Sequence, residues 1–71
     1  MTDNIIINDT IIADQIEDGD QIQVDGVYYE NVALLDATDP DEVRVRAYSE
    51  DEGDLVTLEL PYDYPVNLWS L

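Results

Sequence analysis

Val43-Arg44-Val45-Arg46-Ala47-Tyr48, then Ser49-Glu50-Asp51-Glu52-Gly53-Asp54, then Leu55-Val56-Thr57-Leu58-Glu59-Leu60: the fold is decided by this stretch. Apolar and polar residues alternate with a period of two on both sides of an acidic, glycine-containing turn, the pattern of strands with one buried face. A symmetric register pairs Val43 with Leu60, Val45 with Leu58 and Ala47 with Val56, and sets Arg44 opposite Glu59. All six apolar residues then share one face, so turn and pattern agree on a hairpin.

The same logic extends towards the N-terminus. Ile22 and Val24 alternate with Gln21 and Gln23, and Asp25-Gly26 is a type I′ turn signal, since both central positions need positive φ. Val24 then pairs with Val27 and Ile22 with Tyr29. Continued unbroken, that register puts Asn31 inward and Val32 and Leu34 outward. A bulge near Glu30-Asn31 restores the phase. Asp36 to Asp41, with Pro40, reads as a turn. Asn4 to Ile7 and Thr10 to Ile12 are short strands around Asn8-Asp9. Leu60 to Pro65 breaks the chain as one short 3₁₀ turn, and Val66-Asn67-Leu68 forms a last strand. Pro61 and Pro65 keep those ends from pairing as central strands. No segment carries a helical stripe over three turns. The expectation is a single all-β domain over residues 1–71, a small five- to six-stranded antiparallel barrel or sandwich. Residues 14–69 make the barrel, and residues 1–13 an N-terminal strand segment available to a neighbour.

The 71 residues include 18 acidic and 2 basic side chains, a net charge of −16, with no His and no Cys. A chain of this mass exposes roughly 4,500 Å² when folded. The usual staples of small domains, disulfides and Cys/His metal sites, are absent by composition. Ile, Val and Leu number seven each, enough aliphatic content for a core where chains below roughly 20% tend to disorder.

Two explanations of the charge compete. A Lys-free surface with 12 Asp and 6 Glu suits concentrated salt, where screening acts within about 3 Å at 1 M. Alternatively, the negative shell imitates nucleic acid before a basic partner. Direct nucleic-acid binding is disfavoured, because only Arg44 and Arg46 could meet phosphates. An anionic membrane is disfavoured for the same reason, and no 18-residue apolar run spans one. Met1-Thr2-Asp3-Asn4 lacks the basic region of a signal peptide.

Composition also excludes Ser-His and Cys-His catalysis and a Lys-activated serine. The three glycines are isolated, so no phosphate loop exists. Neither the Asp36-Asp39-Asp41 cluster nor the Glu50 to Asp54 cluster has EF-hand spacing. Both read as solvated turn carboxylates. No enzyme activity, cofactor or metal is expected.

Tyr and Trp concentrate at interfaces. Tyr62, Tyr64 and Trp69 lie beside Pro61 and Pro65 and before Leu71, while Tyr28 and Tyr48 fall on outward positions. For Tyr62 and Trp69 the competing reading is a cap on the open end of the barrel. In Ile5-Ile6-Ile7, alternation buries at most one face, so the other needs a neighbour. The partner-binding residues expected are therefore Ile5, Ile6, Ile7, Tyr28, Tyr48, Tyr62, Tyr64, Trp69 and Leu71.

The layout from Ile16-Glu17-Asp18-Gly19-Asp20-Gln21-Ile22 through Val24-Asp25-Gly26, two further strands, a Pro/Tyr turn and Pro65-Val66-Asn67-Leu68 resembles an SH3-like small β-barrel. Small accessory proteins of tailed viruses often have this layout. The paired tryptophans of peptide-binding SH3 domains are missing, so recognition of proline-rich peptides is not implied. The resulting expectation is a non-catalytic structural or interaction protein that docks on a larger protein assembly. A virion accessory or decoration protein with a salt-adapted acidic surface, located in the virion or the host cytoplasm, fits this description. The alternative is an acidic nucleic-acid mimic that inhibits a basic host or defence protein.

Overall fold

The fold is described from a computed structural model, over residues 5–71. Six strands form one antiparallel sheet: β1 (Ile6–Ile12), β2 (Ile22–Val24), β3 (Val27–Leu35), β4 (Glu42–Ser49), β5 (Asp54–Pro61) and β6 (Pro65–Ser70), ordered β1-β6-β2-β3-β4-β5. The all-β antiparallel expectation therefore holds. The expected strand start at Asn4 lies outside the described residues. The sheet is open: β1 and β5 are its edges, and among the described residues no ladder joins them.

The hairpin registers are those expected. Val43 faces Leu60, Val45 faces Leu58, Ala47 faces Val56 and Arg44 faces Glu59. Ile22 faces Tyr29 and Val24 faces Val27. Asp25 and Gly26 have φ of 52° and 83°, as a type I′ turn demands. Asn31 has φ of 54°, and Asn31 and Val32 together oppose Ala47 alone. This bulge turns Val32 into the core. A second bulge is centred on Asn8, so that Ile7 pairs with Trp69 and Asp9 with Leu68.

Four features depart from expectation. The segment around Asn8-Asp9 is one strand, Ile6–Ile12, rather than two, and β5 runs on to Pro61 into a plain turn where a 3₁₀ turn was expected. Pro65 does not keep β6 from a central place, because it is the first residue of the strand, where a missing N–H breaks no ladder. Strand β6 lies between β1 and β2. A short 3₁₀ turn over Ala13–Gln15 also follows β1. The N–H groups of Ala13 and Asp14 donate to the carbonyls of Tyr64 and Tyr62, both at 2.9 Å. This segment sends Ala13 and Ile16 into a core shared with Ile22, Val24, Val32, Val45, Ala47, Leu60 and Val66. The total accessible surface is 4641 Å², close to that of a compact globule of this mass, so the open edges do not splay the fold.

Candidate interaction surface

The core face is fixed by the residues above, and alternation assigns the rest to the outer face. Across β1, β6 and β2 that face carries a polar row. The Thr10 hydroxyl donates to Asn67 Oδ1 and Asn67 Nδ2 donates to Gln23 Oε1, each at 2.8 Å. Beside it runs an apolar band. Ile7 stands opposite Trp69, and the Tyr28 ring meets the Trp69 ring edge-on at 5.4 Å and 83°. Glu30, two residues from Tyr28 on the same face, interrupts the band and pairs with Tyr48, and beyond it Tyr48 pairs with Leu55 on the β5 edge.

The nine residues singled out from sequence do not share one environment. Ile6, Ile7, Tyr48, Tyr62 and Leu71 are exposed, and Ile5 and Tyr28 are half-buried. Ile6 and Ile7 are 56% and 44% exposed, so both faces of β1 lack cover at this end. Tyr64 packs against the core, and its hydroxyl donates to both Asp25 oxygens at 2.6 and 2.8 Å. That hydrogen bond, then burial, then the Asp25 charge hold its pKa above the ordinary 10.0. Trp69 is 4% exposed. Its indole N–H donates to the carbonyls of Ile22 at 2.9 Å and Tyr29 at 3.3 Å. Truncating such a side chain costs about 3–5 kcal/mol, a large share of a small domain's stability. Trp69→Ala therefore reports on folding rather than docking. Leu55, Ile12 and Leu34 are exposed apolar residues that the sequence reading did not single out. Leu55 had a usable signal, its place opposite Tyr48 in the inferred register.

Strand β1 is an edge with one charged residue, Asp9, and no Lys or Pro. Its remaining safeguard against strand addition is the Asn8 bulge. Strand β5, the other edge, carries Asp54 and Glu59 and ends in Pro61.

The acids divide into two kinds. Asp9, Asp18, Asp20, Asp39 and Asp54 each accept a backbone N–H, from Thr10, Leu34, Glu17, Asp41 and Leu55 respectively. Four of these bonds lie within three residues, a reach that suits the short Asp side chain, while Asp18 crosses sixteen residues to Leu34, which gives the Asp excess a structural use. Others gather where the β2–β3 and β4–β5 turns meet. Here Glu50 N–H donates to the Tyr28 carbonyl at 3.4 Å. Burial, then a hydrogen bond with Glu50 and its charge, raise the Glu30 carboxyl pKa above 4.5. Among the described residues no group of three or more acidic side chains could hold a metal ion.

A pocket of about 240 Å³ opens beside this acidic pole, lined by Val27, Tyr29, Ser49, Asp51, Glu52, Val56 and Leu58. Its apolar residues belong to the core face. In a closed barrel the opposite strand would cover them, so the open sheet leaves the pocket accessible. Burial, then the charges of Asp51, Asp25 and Glu52, raise the Tyr29 pKa. No family model, no curated protein and no solved structure matches this chain.

Proposed function

We propose that the protein is a non-catalytic interaction module that docks on a larger protein assembly through β1 and the adjoining apolar band. One observation carries this reading. In a chain of net charge −16, β1 has a single charge and exposes Ile6, Ile7 and Ile12 along an unpaired edge. Apolar burial yields about 25 cal/mol per Å², and a strand edge adds main-chain hydrogen bonds to a partner. Buried unpaired carboxylates cost several kcal/mol, which directs docking away from the acidic pole. The SH3-like layout and the acidic surface support a finer reading, an accessory or decoration protein of a tailed virus.

The second reading, mimicry of nucleic acid, is favoured by the gathering of Asp25, Glu30, Glu50, Asp51 and Glu52 at one end of the sheet. Comparison of two variants as baits in the native source separates the readings. Ile6→Thr/Ile7→Thr should lose the wild-type partner, while Glu50→Gln/Asp51→Asn/Glu52→Gln retains it. The reverse ranking replaces docking with mimicry.

A further inference from the structure

The pocket at the acidic pole lies on β3, β4 and β5, across the sheet from β1, and stands independent of the docking reading. Its floor is apolar: Val27 and Tyr29 from β3, and Val56 and Leu58 from β5. Ser49 closes the bottom, with its hydroxyl accepting from Glu52 N–H at 3.2 Å. Asp51 and Glu52 form one rim, and Asp25 acts on the Tyr29 hydroxyl from the neighbouring turn. At about 240 Å³ it is smaller than the roughly 300–1,000 Å³ of sites for drug-sized ligands. It has the scale of one long side chain.

We infer that this pocket receives the cationic side chain, arginine or lysine, of a basic segment of a partner protein. A cationic side chain has the two parts the pocket asks for, an aliphatic stem for the floor and a charged head for the rim. A purely apolar occupant would strip water from the Asp51 and Glu52 carboxylates without compensation. A bare cation would leave Val27, Val56 and Leu58 uncovered. The chain cannot fill the pocket from within, because Arg44 and Arg46 alternate with the core residues Val45 and Ala47 and so occupy the other face of β4. A second copy would bring another −16 charges to the same place. Charge complementarity therefore assigns the site to a basic partner.

The test is a titration of the isotope-labelled protein with a short peptide alternating arginine and glycine, followed on the methyl groups of Val27, Val56 and Leu58. The expected result is saturable shifts at these methyls in about 0.15 M salt, and none with the same peptide carrying neutral citrulline. Val56→Phe, which fills the pocket without changing charge, should weaken binding at least about tenfold. Asp51→Asn/Glu52→Gln should do the same while keeping the methyl dispersion of a folded protein. Leu58→Met, which keeps the floor apolar, should bind like wild type and guards against a misfolded Val56→Phe. Shifts spread over all acidic turns with the methyls unmoved, or undiminished binding to a folded Val56→Phe, would overturn the site. Free arginine methyl ester binding as tightly as the peptide would overturn the protein partner in favour of a small amine.

Discussion

Asn31 holds a left-handed backbone in the middle of β3, and the burial of Val32 depends on it. Without the extra residue, the strand would continue the β2–β3 register and turn Val32 to solvent. Left-handed geometry costs an ordinary L-residue about 1–2 kcal/mol and glycine nothing comparable. Asn31→Gly should therefore leave the melting temperature within about 3 °C of wild type. Asn31→Val should lower it by roughly 4–16 °C, at about 4–8 °C per kcal/mol for a domain of this size. Equal melting of the two variants would show that the bulge does not rely on Asn31. The bulge was legible because the apolar phase slips by one residue. The burial of Trp69 was not, since an isolated aromatic near a strand end gives no alternation to read. The backbone-accepting role of the aspartates was only partly legible, as composition shows the Asp excess but not which N–H each one meets.

Among the elements, the β4–β5 hairpin was the most completely legible, because its turn and its alternation specify one register independently. Its cross-strand ion pair adds little. Arg44 Nε lies 3.8 Å from Glu59 Oε2, too long for a hydrogen bond, and both side chains are largely open to solvent. A double-mutant cycle of Arg44→Gln and Glu59→Gln, read by urea unfolding, should give a coupling under about 1 kcal/mol. The Arg44 Nε atom itself is buried and has no hydrogen-bond partner among the described residues, so a coupling above about 2 kcal/mol would mean that it depends on this carboxylate. Strand order was beyond the sequence. Nothing local in Pro65 to Ser70 says that this segment slots between β1 and β2, because both pairings join residues more than forty positions apart. The 3₁₀ turn at Ala13–Gln15 was also missed, being too short to carry a period.

For the whole molecule, charge sets the conditions of stability. Self-repulsion of 16 excess negative charges acts over about 10 Å at 0.1 M salt and about 3 Å at 1 M. Melting temperature should rise by at least about 5 °C between those concentrations. Glu30 gives this a local counterpart in pH. Its folded pKa is raised, so its stabilising contribution belongs to the protonated form and is lost as pH rises through that folded value. Stability should therefore increase as pH falls from 7 towards 5. Glu30→Gln should raise the melting temperature at pH 7 more than at pH 5. A flat salt response would remove repulsion as the controlling force, and a Glu30→Gln gain that does not depend on pH would remove Glu30, whose carboxyl pKa is raised first by burial and then by Glu50, as a source of the pH response.

The central position of β6 has a consequence in time. The two hairpins spanning β2 to β5 close short loops, whereas Asn8 meets Ser70 across 62 residues and Trp69 meets the Ile22 carbonyl across 47. Distant closures are made late when local ones are available. The hairpins should form the folding nucleus, with β6 entering afterwards as a wedge that β1 then covers. In stopped-flow refolding, Ala47→Gly and Val45→Ala should slow folding, while Val66→Ala and Ile11→Val should chiefly speed unfolding. If the β6 substitution slowed folding as much as those in β4, assembly would start from the wedge instead. Until β6 arrives, Ile22 and Gln23 have one strand neighbour where the finished sheet gives them two, so β2 is the flank of the nucleus left open to other chains.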